Sequence, residues 1–228
     1  MMDEMKKRAA HKAVEYVKDG MVLGLGTGST TKYAIEEIGR LVSEGYELIG
    51  VPTSLETERQ ARSLNIPIST LEKVKRLDLT IDGADEVDPQ FQLIKGLGGA
   101  LLREKIIAYH SDLEIIIVDH SKIVDKLGIK TPLPVEVVPF SHGRTKEAIE
   151  ELGCKATLRG ESGPFITDNG NYIYDCKFDG IDNAKMLELK LDSIPGVVEN
   201  GLFLEMSSHI VIGTKDGVEI RERTDQDC

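Results

Sequence analysis

Four short segments hold most of the residues that could do chemistry: VLGLGTGSTT at 22–31, DGADEVD at 82–88, KGLGG at 95–99 with Glu104 shortly after, and DHSK at 119–122. The first sets Gly24, Gly26 and Gly28 among Thr27, Ser29, Thr30 and Thr31, at the end of an apolar run. A glycine turn that opens onto a helix offers free backbone N–H groups to an anion, and hydroxyls add further donors. The competing reading is a tight strand-to-helix turn with a Ser/Thr cap. Two nucleotide patterns can be excluded. A dinucleotide fingerprint would need a third glycine at 29 and an acid closing the second strand, but Ser29 and Gly50-Val51-Pro52 stand there. A triphosphate loop would need a lysine before Ser29 or Thr30. What remains suits a small phosphomonoester.

DGADEVD places Asp82, Asp85, Glu86 and Asp88 within seven residues. It reads as a solvated acidic turn, as a hard-cation site on Asp82, Asp85 and Asp88, or as a set of acceptors for sugar hydroxyls. Gly83 and Ala84 leave room for a ligand, and no histidine lies close in sequence, so the polyol reading is preferred and no metal is expected. Lys95 sits beside Gly96, Gly98 and Gly99, and Glu104 follows at the start of a helix. Glu104 could merely complement the helix dipole. It could also be a general base, with Lys95 stabilising the oxyanion it creates. The five histidines are scattered without metal spacing, and only His120 falls at a strand end. No G-x-S-x-G elbow supports acyl transfer.

The elements that must position these segments follow from hydrophobic spacing. Apolar runs predict strands at Val22–Leu25, Leu48–Val51, Leu79–Ile81 and Ile115–Val118, alternating with helices at Thr31–Ser43, Leu55–Leu64 and Ala100–Tyr109. That alternation predicts a doubly wound, mostly parallel α/β sheet with ligands at the carboxyl ends of its strands. The N-terminal twenty residues read as a further helix. Pro132, Pro134 and Pro139 mark a change of character. From there on come a strand (Val135–Val138), a helix (Gly143–Leu152), two strands (Lys155–Leu158, Asn171–Lys177), a helix (Asp182–Ser193) and a strand (Val197–Leu204). This βαββαβ order is that of a small ferredoxin-like module. HIVIGTKDGVEIRER reads as a hairpin that the pattern alone does not place.

Bulk properties narrow the partners. The net charge of -11 repels polyanions, and no basic cluster is interleaved with aromatics, so nucleic acid is not expected. No apolar run approaches the roughly 20 residues that a membrane span needs, and the N-terminus, which carries Asp3, Glu4 and Glu15 and no continuous apolar core, resembles neither a secretory signal nor a transit peptide. Cys154, Cys176 and Cys228 form neither a disulfide framework nor a zinc pattern, which suits a cytoplasmic location.

The segments GLGTGST, TIDGADEVD, LIKGLGGALLREKI and VDHSKIVDKLG, in this order and spacing, closely resemble ribose-5-phosphate isomerase of the A type. The likeness continues through PLPVEVVP, TDNGNYIYD, IPGVVENGLF and GTKDGV. It implies interconversion of ribose 5-phosphate and ribulose 5-phosphate in the non-oxidative pentose phosphate pathway, without metal or organic cofactor. It also implies a Rossmann-like large domain (1–130 plus 206–228), a ferredoxin-like small domain (131–205), and a homodimer or homotetramer. By position, Thr27, Gly28, Ser29 and Thr30 would form the first substrate loop, Asp82, Gly83, Ala84 and Asp85 the second, and Lys95, Gly96, Leu97 and Gly98 the third. Glu104 would be the catalytic base, and Lys122 would reach the substrate phosphate. Leu97 departs from the family, whose members often carry glycine there. The competing functions are a sugar-phosphate sensor, a nicotinamide-dependent dehydrogenase, and an isomerase of another phosphorylated sugar. The sensor would be expected to carry a DNA-binding module, for which no basic stretch is present, and the dehydrogenase lacks its fingerprint.

Overall fold

A computed structural model describes residues 1–223; the TDQDC tail with Cys228 lies outside the described residues. In chain order the elements begin α1 (Met2–Val14), β1 (Val22–Leu25), α2 (Thr31–Ser43), β2 (Ile49–Pro52), α3 (Leu55–Ser63), β3 (Leu79–Gly83), β4 (Glu86–Val87), β5 (Leu93–Ile94), α4 (Leu101–Tyr109) and β6 (Glu114–Asp119). They continue with a 3-10 turn (His120–Lys122), β7 (Leu133–Val137), α5 (His142–Glu150), β8 (Lys155–Leu158), β9 (Tyr172–Lys177), α6 (Ala184–Asp192), β10 (Val197–Asn200), β11 (Leu202–Phe203), β12 (His209–Gly213) and β13 (Val218–Glu222). The chain divides into two bodies: Met1–Ala84, Arg103–Lys122 and Met206 onward form one, Asp85–Leu102 and Ile123–Glu205 the other.

The first body is built on a six-stranded sheet in the order β13-β12-β6-β3-β1-β2. All its neighbouring strands run parallel except the β12–β13 hairpin. Alternation along the strands sends Leu23, Leu25, Leu79 and Ile81 to one face, where they are buried with Ala9 and Ala13 of α1 and Ile35 and Ile38 of α2. On the other face Ile107 of α4 is buried with Val51 and Leu77. Helices on both faces of a mostly parallel sheet make this the expected doubly wound fold. The hairpin that the pattern left unplaced completes the sheet, with β12 pairing in parallel with β6.

The second body contains an antiparallel sheet in the order β10-β7-β9-β8. In the numbering of the module's own strands this is 4-1-3-2, as the βαββαβ reading requires. Leu133, Val135, Val137, Tyr174 and Cys176 of the sheet are buried with Ile149, Leu187 and Leu191 of α5 and α6. Cys154 and Cys176 are free thiols.

Two details differ from the sequence reading. The expected strand Val197–Leu204 breaks at Gly201, whose N–H donates to the Pro134 carbonyl (2.8 Å) and whose carbonyl accepts the Lys95 N–H (2.9 Å). A Cβ at Gly201 would stand 3.0 Å from Pro134 Cδ, so only glycine lets the chain leave one sheet and enter another. The residues beyond it, β11, join β5 and β4 in a three-stranded sheet that was not foreseen. That sheet, with the Val87–Ile123 bridge, is why 85–102 and 123–130 group with the second body rather than with 1–130.

Candidate active site

In the first body the chain winds from β1 to β2 in one direction and through β3, β6 and β12 in the other. The reversal lies at β1 and β3, and such a switch point opens a crevice at the strands' carboxyl ends. The loops leaving those two strands begin at Gly26 and at Ala84.

Three glycines shape the first loop for three different reasons. A Cβ at Gly24 would meet the Thr80 hydroxyl and stand 2.8 Å from Ile107 Cγ2, so Gly24 lets β3 and α4 close in. A Cβ at Gly26 would stand 2.5 Å from Asp82 Cγ. A Cβ at Gly28 would meet only ordinary contact, 3.8 Å from Thr31 Oγ1, but its φ is +133°, which L side chains rarely adopt. The Asp82 carboxylate fills the space over Gly26, and its Oδ1 accepts the N–H groups of Thr27 (3.1 Å) and Gly83 (2.7 Å). The first and second loops are thereby brought together.

The loop hydroxyls divide between internal and outward roles. Thr27 Oγ1 lies in a hydroxyl cluster with Thr53 (2.7 Å), Ser54 (2.8 Å) and Thr57 (3.1 Å), which ties the loop to the segment after β2. Thr31 Oγ1 donates to the Gly28 carbonyl (2.8 Å). Neither hydroxyl is an outward donor of the kind the sequence suggested. The N–H groups of Gly28, Ser29 and Thr30 find no acceptor among the described residues, and α2 has no acid in its first turn. That leaves a helix N-terminus suited to an anion. Lys6 of α1, which sequence reasoning missed, donates to Ser29 Oγ (2.9 Å). The only signal for it was chemical: the loop itself contains no cation.

Glu104 is buried on α4. Ser111, just past the helix, bonds Thr80 Oγ1 (2.7 Å), which fixes the level of α4 against β3. Glu104 precedes Ser111 by about 10 Å along a helix axis, and Asp82 follows Thr80 by about 7 Å along a strand. Ile107, one turn from Glu104 on the same helix face, packs over Gly24. Glu104 therefore lies at the carboxyl end of the sheet, on the face that carries Asp82. Lys122 ends the turn after β6, where Asp119 Oδ1 accepts the Ser121 N–H (2.9 Å). His120 is exposed at the start of that turn.

The second body holds Asp85 and the 95–99 turn. Asp85 Oδ2 accepts the Leu97 N–H (2.9 Å), and the Gly99 N–H closes the turn on the Gly96 carbonyl (3.0 Å). Positive φ occurs at Gly96 (+99°) and Gly99 (+83°) but not at Leu97. Leucine thus takes the position without a positive φ, and its N–H is held by Asp85. Lys95 is buried, with Nζ 5.2 Å from the Phe203 ring centroid.

The other two acids of DGADEVD, both in this body, have architectural partners. Glu86 accepts the N–H groups of Gly128 (2.6 Å), Lys130 (2.8 Å) and Thr131 (2.6 Å). Asp88 accepts those of Gln90 and Gln92 (both 2.9 Å). Burial raises the Asp88 carboxyl above its ordinary value, and the Gln92 and Gln90 N–H groups oppose the shift. Among the described residues no cluster of three or more His, Cys, Asp or Glu could hold a metal.

The family model of ribose 5-phosphate isomerase A matches residues 49–217. The chain belongs to this family. A ribose-5-phosphate isomerase A of Gloeobacter violaceus is 50% identical over 221 residues, covering 96% of each chain. The solved structure of a D-ribose-5-phosphate isomerase in complex with phospho-erythronic acid superposes with a TM-score of 0.96 at 45% identity, covering 98% of this chain and 100% of that one. The Plasmodium falciparum ribose 5-phosphate isomerase superposes at 0.95 with 41% identity, covering 98% and 100%. Both superpositions span almost the whole of this chain.

Proposed function

We propose that the chain interconverts ribose 5-phosphate and ribulose 5-phosphate through an enediolate, with Glu104 as the base. The observation that carries this is the buried carboxylate of Glu104 at the carboxyl end of the sheet, on the face of Asp82, in a member of this family. Glu104 takes the proton from C2 of the open-chain aldose and returns it at C1; because the two carbons are adjacent, one carboxylate serves both. A positioned base contributes roughly 10²–10⁴ in rate. Lys95 stabilises the negative oxygen of the enediolate, worth about another 10²–10³. Asp82 and Asp85 orient sugar hydroxyls and assist opening of the furanose, which has no free carbonyl to enolise.

The substrate phosphate is assigned to the N–H groups of Gly28, Ser29 and Thr30, with Lys6 and Lys122 as cations. The paths of Gly83, Ala84, Gly96, Leu97 and Gly98 bring backbone rather than side chains to the sugar. The scheme moves only protons, so it needs no redox cofactor.

The test is conversion of ribose 5-phosphate in heavy water by the parent chain and by Glu104→Gln. The parent is expected to turn over and incorporate deuterium at carbon. Glu104→Gln is expected to bind phospho-erythronic acid, a four-carbon acid phosphate, with near-parental affinity and to lose most of kcat. An unchanged kcat removes Glu104 from the role, and failure of the parent to convert the sugar removes the function.

A further inference from the structure

Arg159 follows β8 in the second body, and its side chain is only 14% exposed. Its guanidinium meets two different partners. Nε donates to Asp175 Oδ2 (3.0 Å) and Nη2 to Asp175 Oδ1, a fork-to-fork pair with β9. Nη1 donates to the carbonyls of Gly96 (3.0 Å) and Leu97 (3.1 Å). The loop that Arg159 opens folds back on it: the Phe165 N–H donates to the Arg159 carbonyl (2.7 Å), and the Phe165 ring centroid lies 5.8 Å from Arg159 Cζ. The same ring fills the place of any Gly99 side chain, since a Cβ there would stand 2.5 Å from Phe165 Cζ.

In a trans peptide the C=O and N–H point in opposite directions. Arg159 draws the Gly96 carbonyl to one side, which sends the Leu97 N–H to the other, where Asp85 accepts it. Arg159 draws the Leu97 carbonyl the same way and so turns the Gly98 N–H outward, where it finds no acceptor among the described residues. Arg159 therefore fixes the direction of a backbone donor in the turn that begins at Lys95.

We propose that Arg159, anchored by Asp175, is a positioning residue for the isomerisation: it holds the 96–98 turn so that the Gly98 N–H and the Lys95 ammonium face the sugar. This rests on the reading that Lys95–Gly98 contact substrate. Lysine cannot replace it, because an ammonium lacks the planar fork that joins a carboxylate to two carbonyls.

The experiment measures kcat and KM for ribose 5-phosphate, affinity for phospho-erythronic acid, and melting temperature for Arg159→Ala, Arg159→Lys and Lys95→Ala. Misplacement of a catalytic group by about 1 Å can cost about 10²-fold. Arg159→Ala is expected to lose that order of kcat, with added guanidinium ion restoring part of it. A purely structural loss would not be rescued in this way. Guanidinium is expected to leave Lys95→Ala unrescued. Arg159→Lys is expected to keep its fold and lose about tenfold in kcat; it decides the matter if the alanine variant does not fold. Parental kcat in a folded Arg159 variant, with Lys95→Ala impaired, overturns the inference alone. Parental behaviour of Lys95→Ala overturns the reading of the turn, and this inference with it.

Discussion

Gly26→Ala adds a single methyl group where β1 passes under the Asp82 carboxylate. The new Cβ would stand 2.5 Å from Asp82 Cγ and 2.6 Å from Asp82 Cα. Carbon atoms in ordinary contact lie about 3.5–4.0 Å apart, so the groups must separate by about 1 Å. The backbone has little freedom to yield, because the Gly26 N–H is held by the Ile81 carbonyl at 3.0 Å. The strain therefore falls on the carboxylate and on its bonds from Thr27 and Gly83. Overpacking of this kind costs about 1–3 kcal/mol, and each hydrogen bond to a charged group about 1.5–3 kcal/mol if it is lost. With one of the two bonds lost, a total of about 3–6 kcal/mol in a chain of this size lowers the melting temperature by about 6–24 °C. Because Asp82 is assigned to the sugar, kcat for ribose 5-phosphate is expected to fall by up to about 10²-fold as well. Circular dichroism melts and an isomerase assay well below the melting point measure the two effects. A Gly26→Ala variant that melts and turns over like the parent would refute the claim that this glycine exists to admit the carboxylate.

Lys6→Ala is expected to raise KM for ribose 5-phosphate about tenfold or more while leaving kcat nearly unchanged, as loss of one charge-assisted bond to phosphate would. Unchanged KM and unchanged affinity for inorganic phosphate would remove Lys6 from the phosphate site. Asp88 gives a pH-dependent prediction. Its folded pKa is raised, so its contribution favours folding below the unfolded value and is lost as pH rises through the folded one. An asparagine in its place would keep an acceptor for the Gln90 and Gln92 N–H groups without the buried charge. Asp88→Asn is thus expected to melt above the parent near about pH 7 and to lose that advantage toward about pH 3; a difference independent of pH would contradict the assignment. Glu104→Gln and the Arg159 variants complete the set, read by kcat against affinity for phospho-erythronic acid.

The doubly wound and ferredoxin-like patterns were legible because long apolar periods report burial directly. Ser29, the absent lysine and the missing acid after β2 were equally legible, since they exclude nucleotide patterns by residue type alone. Other features depend on tertiary partners. Nothing local separates Glu86 and Asp88, which hold backbone turns, from Asp82 and Asp85. Nothing local shows that Thr27 and Thr31 turn their hydroxyls inward while Ser29 meets Lys6. Strands of two residues, such as β4, β5 and β11, are too short to show a period, so the small sheet and the break at Gly201 could not be seen. Arg159 lies in a loop whose sequence, RGESGPF, reads only as a turn; its partners lie 16 residues downstream at Asp175 and more than 60 residues upstream at Gly96 and Leu97.

The place of β12 beside β6 has a consequence for how the chain is made. In the first body β6 pairs with β3 on one side and with β12 on the other, and β12 spans only His209–Gly213. During synthesis from the N-terminus, β6 therefore has an open edge until β12, about 90 residues further along the chain, has left the ribosome. An unpaired apolar edge is a template for another strand. The nascent chain must keep Glu114–Asp119, buried at every position once folded, away from other strands until the β12–β13 hairpin arrives. A truncation before residue 209 would leave that edge open permanently, and its expected fate is aggregation rather than a smaller working domain.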